Sequence, residues 1–169
     1  MERGHIILLN GVSSSGKTTL AKALLEQLPD YFHYSLDDFD IVIEHMEDRE
    51  KDRRIPVETE YFFHRTIAMF SDKGVNLIVD HVIHDPFTRT DFEAGLSGYP
   101  VLRVGVHCPV EELARRERER GDRRIGQALV QLEFVHKEEV YDVEVDTYAE
   151  GLENCTEKIV HTLRNWYSE

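Results

Sequence analysis

Two cysteines, one tryptophan and five prolines are all that this chain of 169 residues has of those three types. Two cysteines are too few for a disulfide framework. Cys108, at the end of an apolar run, and Cys155, on a helical apolar stripe, read as buried free thiols in a reducing compartment. No apolar stretch approaches the roughly 18–20 residues that a membrane span requires. The opening MERGHIILL has one arginine and a very short apolar run, so no signal peptide is expected and a cytoplasmic location is. Basic residues are also outnumbered: 20 Lys and Arg face 33 Asp and Glu, a net charge of −13. Nucleic-acid binding draws most of its affinity from cations that neutralise phosphates, so this balance argues against a nucleic-acid partner. It leaves room for a small anion in a local basic pocket.

What is present is a regular alternation. Apolar runs at 5–9, 32–36, 75–80, 100–108 and 141–147 read as strands. Between them, 17–28, 57–70, 86–96, 109–119 and 128–139 read as helices, and the chain closes on the stripe Leu152, Cys155, Ile159, Leu163 and Trp166. Strands alternating with helices require crossovers, hence an α/β fold with a five-stranded, mainly parallel sheet covered by helices on both faces. With no repeat and no linker, residues 1–169 are expected to form a single domain. The charge run EDREKDRR at 47–54 reads as a solvated loop.

Between the first strand and the first helix lies NGVSSSGKTT, which fits G-x-x-x-x-G-K-[ST] in the setting that motif requires. Glycines permit the tight turn, and successive N–H groups converge on phosphate oxygens at the positive end of the helix. Gly11, Ser13, Ser14, Ser15, Gly16, Lys17, Thr18 and Thr19 are therefore the candidate cradle for a nucleoside triphosphate, expected to be ATP. Lys17 would reach the β- and γ-phosphates, and the Thr18 hydroxyl would serve Mg²⁺, which favours hard oxygen ligands. An N-K-x-D guanine-reading element is missing, and LSGYP at 96–100 lacks the second glycine and the glutamine of a transporter signature. A compact kinase is the class that remains.

A kinase must also orient and deprotonate an acceptor hydroxyl, hold its metal and neutralise the transferring group. SLDDFD at 35–40 follows the second strand, so its carboxylates sit where ligands bind in open α/β sheets. Asp37 is the candidate base and Asp38 the second choice, with one residue of register between them; both could instead cap the following helix. LIVD at 77–80 ends an apolar strand in Asp80, a Walker-B pattern that would hold Mg²⁺. His81 and His84 form an H-x-x-H with no further ligand to complete a transition-metal site, and read as ordinary loop histidines. ARRERERGDRRIG at 114–126 sets six arginines against three carboxylates. Arg120 and Arg123, flanking Gly121 and Asp122, suit a lid over the triphosphate, whereas Arg115 and Arg118 suit helix-surface pairs. Asp146 and Thr147, at the end of the fifth strand, are candidates for nucleotide contact, with capping of the last helix the rival.

The strand-led loop IILLNGVSSSGKT, the aspartate after the second strand, VGVHC, RGDR and VHKEEVYDVEVDT, in that order, resemble the chloramphenicol phosphotransferase family of P-loop kinases over residues 6–147. The resemblance implies a shikimate-kinase-like, three-layer P-loop kinase fold with a short arginine-rich lid near 114–127. It also implies ATP- and Mg²⁺-dependent phosphorylation of a small-molecule hydroxyl, on chloramphenicol or a related antibiotic, and so a role in resistance. By matching motif, Asp37 is the base, Lys17 and Thr18 serve ATP and metal, and Arg120 and Arg123 form the lid. If the arginines of 47–54 face the acceptor, it would be carboxylated, phosphorylated or sugar-like. The alternatives are a nucleoside, sugar or nucleotide-sugar kinase, or a non-catalytic ATP-dependent switch.

Overall fold

The computed structural model describes residues 2–166. Its first strand, β1 (Ile6–Asn10), is buried at every position. A strand covered on both faces needs paired neighbours on both edges and a layer on each side. β1 therefore lies at the centre of a parallel sheet, between β3 (Asn76–His81) and β4 (Val101–His107). β2 (Tyr31–Ser35) extends the sheet beyond β3, and β5 (Val143–Asp146) beyond β4, giving the order β2-β3-β1-β4-β5 with every pairing parallel.

The period-2 alternation of the strands divides the core into two layers. Ile7, Leu9, Ile78, Val104 and Val145 face α1 (Lys17–Gln27) and α7 (Leu152–Trp166), meeting Leu20 and Leu24 of the first and Ile159 and Leu163 of the second. Ile6, Leu8, Leu77 and Val79 face the other way, onto Phe63 and Ile67 of α3 (Thr59–Asp72) and Phe92 of α4 (Pro86–Gly95). α2 (Leu36–Met46) leaves β2 without a loop and packs on α3. α5 (Val110–Arg120) and α6 (Gln127–Leu132) cap the C-terminal edge of the sheet, where Val12, Leu113, Ala128 and Val135 make a small third cluster.

The five-stranded parallel sheet is as expected, with all four pairings parallel. Several other expectations change. Leu36 opens α2 instead of ending β2, so Asp37 and Asp38 stand in a first helical turn. The helix expected at 128–139 stops at Leu132. Beyond it Asn10 Nδ2 donates to the Val135 carbonyl and Arg89 to that of Lys137, which turns the chain toward Tyr141. Cys155 is buried, but Cys108 is only half-buried. His81 ends β3 and is buried, so it is no loop histidine. The charge run is solvated as expected, and Arg49 within it pairs with Glu47 and with Asp40 and Glu44 of α2, while Lys51 pairs with Asp48. No helix among the described residues is long and apolar enough to cross a membrane.

Phe63, fully buried, stacks on Tyr34 at 4.8 Å and meets Phe39 at 5.6 Å, so its loss would leave a cavity the sheet cannot collapse into. Phe63→Ala is expected to cost about 3–5 kcal/mol in urea unfolding. Phe32→Ala, at a ring 61% exposed, should stay within about 0.5 kcal/mol of wild type. Equal costs would show that the α3 face is not the packed layer described.

Candidate active site

Parallel pairing brings the C-terminal ends of all five strands to one edge. Asn10 sits opposite His81 and Gly105, Ser35 opposite Asp80, and His107 opposite Asp146. The cavity at this edge has a volume of ≈ 660 Å³.

Its floor is the loop between β1 and α1. Gly11 is pressed against β4: a Cβ there would come within 2.5 Å of the Val106 carbonyl oxygen and 2.8 Å of Ser15 Oγ. Ser14 (φ 65°) and Gly16 (φ 97°) take left-handed conformations that curl the backbone, and Gly16 starts α1 without a side-chain cap. The first amides of α1 thus remain for a ligand, at the positive end of the helix. Neighbours brace the loop from outside. Gln131 Oε1 accepts from the Ser13 N–H (2.7 Å), the Thr147 hydroxyl donates to the Ser15 carbonyl (2.6 Å), and Arg116 Nη1 lies 3.3 Å from the Ser14 carbonyl. Ser14 Oγ and Ser15 Oγ are buried with no hydrogen-bond partner. Orphan hydroxyls, uncapped amides and a buried ammonium are the donor set of an anion cradle, and fit a polyphosphate.

Lys17 is buried and donates to the Val12 carbonyl at 2.9 Å. Burial pulls its pKa below the usual lysine value, while Asp80 and Asp37 act in the opposite sense. The Thr18 hydroxyl donates to Asp80 Oδ2 at 2.7 Å, and His33 Nε2 lies 3.5 Å from the same oxygen. Burial alone would raise the Asp80 pKa, but His33, Lys17 and Thr18 together hold it below the ordinary carboxylate value. A hydroxyl beside an ionised carboxylate is a hard-oxygen pair, which fits Mg²⁺. Among the described residues no group of three His, Cys, Asp or Glu side chains forms a transition-metal cluster.

Asp37 lines the cavity and pairs with Arg123 Nη2, although the two are 86 residues apart in sequence. Asp38, one position on, is exposed and is not part of the wall. Arg120 lines the cavity and is paired with Asp122 at 3.0 Å. The lid turn is held down by Glu117, 2% exposed, whose carboxylate accepts from the N–H groups of Gly126 (2.9 Å) and Ala128 (2.7 Å). Arg115 pairs with Glu112 and Glu119 along the helix surface. Thr19 and Thr147 reach the cavity, while Gly11 and Ser15 lie beneath it. Asp146 does not reach it: its Oδ1 accepts from the N–H groups of Tyr148 and Ala149 in the turn after β5. The arginines of 47–54 are likewise absent from the wall.

Sequence reasoning gave no part to Arg116, Gln131, Glu60 or Leu152, all of which line the cavity. Arg116 was the one within reach, because it lies one helical turn before Arg120 and so shares its face. The others come together only through folding.

The profile described as chloramphenicol phosphotransferase-like protein matches residues 4–164. The chain belongs to the chloramphenicol phosphotransferase-like family. Two Mycobacterium tuberculosis proteins, provisionally named O-phosphotransferases and from two strains, are each 33% identical over 174 residues, covering 88% of this family member and 77% of their own length. Among solved structures, the tunicamycin resistance protein of Deinococcus radiodurans superposes with a TM-score of 0.74 at 22% identity, over 95% of this chain and 96% of its own. Mycobacterium tuberculosis APS kinase, solved with AMPPNP and APS, gives 0.72 at 14% identity, over 97% and 99%. Shikimate kinase from Acinetobacter baumannii, solved with shikimate, gives 0.64 at 17% identity, over 97% and 95%. The fold of this family member is thus the P-loop kinase fold.

Behind the cradle, His136 packs against His107 with ring centroids 4.1 Å apart and hydrogen-bonds Tyr141 Oη through Nδ1 at 2.8 Å. Burial first, then the neighbouring His107, lowers its pKa to about 4. The native state thus resists a proton that the unfolded chain accepts at the ordinary histidine value. As pH falls from 6.5 toward about 4, this site should lose stability. Urea midpoints across that window should fall more steeply for wild type than for His136→Gln; a shallower wild-type fall would contradict the burial argument.

Proposed function

We propose that this protein is an ATP- and Mg²⁺-dependent O-phosphotransferase that moves the γ-phosphoryl group to a hydroxyl of a small molecule. The observation that carries the reading is the meeting of Asp37 and Arg123 in the cavity that also holds Lys17 and the Thr18–Asp80 pair. A switch that only binds nucleotide needs no carboxylate opposite its cradle, where Asp37 is held by Arg123. The provisional name of the M. tuberculosis relatives supports the same class of chemistry.

In this reading the loop amides of residues 13–19 bind the triphosphate, with Ser14 Oγ available as a further donor. Thr18 and Asp80 would hold Mg²⁺, whose charge neutralises the β- and γ-phosphate oxygens. Lys17, Arg116, Arg120 and Arg123 concentrate positive charge where the transferring group carries negative charge. Asp37 accepts the proton of the acceptor hydroxyl as its oxygen bonds to phosphorus, and the bond to the β-phosphate oxygen breaks to leave ADP. Arg123, now paired with Asp37, is the lid residue that links the two halves of the site. Asp38 lies off the wall and takes no part. Chloramphenicol is the first acceptor to test, on the strength of the family description.

The test is Mg-ATP turnover with chloramphenicol and a panel of hydroxyl compounds, each product checked by mass spectrometry for one added phosphate. Asp37→Asn is expected to lower transfer about 10²–10⁴-fold while nucleotide still binds. Lys17→Ala should abolish it, and Asp38→Asn should change it only a few-fold. Full turnover in Asp37→Asn would remove the assigned base, and ATP consumption that no acceptor accelerates would favour the switch.

A further inference from the structure

Three side chains outside this mechanism, two of them buried, form a chain that ends at the cavity wall. Asp91 Oδ2 lies 2.7 Å from His64 Nδ1, and His64 Nε2 lies 2.8 Å from His81 Nε2. His64 is fully buried and His81 is 1% exposed, with Phe63 and Phe92 edge-on around them at 5.5 Å and 5.2 Å. Arg65 Nη1 also pairs with Asp91, at 2.9 Å, so the carboxylate is already neutralised and does not call for an imidazolium.

The hydrogen positions follow in sequence. An ionised carboxylate only accepts, so the hydrogen facing Asp91 is on His64 Nδ1. His64 Nε2 is then an acceptor, and the hydrogen between the two rings belongs to His81 Nε2. That leaves His81 Nδ1 as a bare lone pair. The atom is buried and has no hydrogen-bond partner, and its residue is part of the cavity wall. A buried acceptor without a donor is a cost the fold has no packing reason to carry. Glu60 of α3 lines the same cavity and is a second group that only accepts, as is Asp37. The cations lining the cavity are Lys17, Arg116, Arg120 and Arg123, which the phosphate chemistry uses.

We propose that His81 Nδ1 accepts a hydrogen bond from the phosphoryl acceptor, and that this acceptor is a non-anionic molecule with more than one hydroxyl. The inference rests on the phosphotransferase reading above. His64 and Asp91 are positioning residues, which act by fixing the tautomer of His81. One hydroxyl of the acceptor faces Asp37 and reacts, while another donor is held by His81.

The experiment combines long-range ¹H–¹⁵N NMR of the ¹⁵N-histidine-labelled protein, with AMPPNP and Mg²⁺, and acceptor kinetics. The probes are chloramphenicol, myo-inositol, glucose, adenosine and, as the anionic contrast, shikimate. In the free protein His81 should show a protonated Nε2 and an unprotonated Nδ1, and His64→Leu should mix the two tautomers. A probe that gains phosphate should move the Nδ1 signal toward the protonated value. His81→Phe should raise that probe's KM about tenfold with the ATP KM unchanged, and His81→Asn, which keeps a polar atom near the Nδ1 position, should recover part of the loss. A protonated Nδ1 in the free protein would overturn the proposal whatever the substrate. So would a phosphorylated probe that leaves the signal in place and keeps its KM in His81→Phe, with the phosphotransferase reading intact. Shikimate as the preferred acceptor would overturn the substrate class. Phosphorylation of none of the probes, with the tautomer as stated, would overturn the phosphotransferase reading and the hydroxyl ligand together.

Discussion

Everything at the site depends on β1 being paired in parallel on both edges. Because its neighbours run in the same direction and in register, the loops after all five strands leave the sheet at one edge. The layers that enforce this are apolar and continuous, with Ile7 and Leu9 held by α1 and α7, and Ile6 and Leu8 by α3 and α4. The cradle is the tightest point of the arrangement. Gly11 is wedged on Val106, Val12 is sealed under Leu113 and Ala128, and the Ser15 carbonyl is tied to Thr147. A loop braced in this way can hold its amides toward a ligand without collapsing onto itself.

The second constraint is electrostatic. A chain with a net charge of −13 repels anions in general, yet four cations converge on the cavity. Elsewhere most arginines are spent on nearby carboxylates, as at Arg49 and Arg115. The result is a local field rather than a basic surface, which fits a small polyphosphate. The low-dielectric setting of Lys17 strengthens its pull on an incoming anion and explains why desolvation opposes its charge before one arrives.

The arginine-rich turn after α5 has fixed feet. Glu117 binds two backbone amides on its far side, and Ala128 and Leu113 are packed below. Gly121 and Gly126, both at positive φ, bound the segment between them. Arg123 at its tip already spans the cavity to Asp37.

The sequence by itself determined the local features, because each is set by neighbours in the chain. These are the apolar strand periods, the Gly-rich loop with Lys17 and Thr18, Asp80 at a strand end, and the arginine segment around Gly121. It also narrowed the base to two adjacent aspartates. Only the tertiary structure separates the two candidates in space, since the start of α2 at Leu36 puts Asp37 on the cavity wall and Asp38 off it. It likewise places Asp146, whose carboxylate is taken by the turn that follows β5, and the charge run, where Arg49 pairs with Glu47. The Asp91–His64–His81 chain was invisible in one dimension because its members come from α4, α3 and β3 and meet only when both helices pack on one face of the sheet. Residue type and spacing report what a segment can do alone. Which side chains share a hydrogen bond across the core is settled by packing.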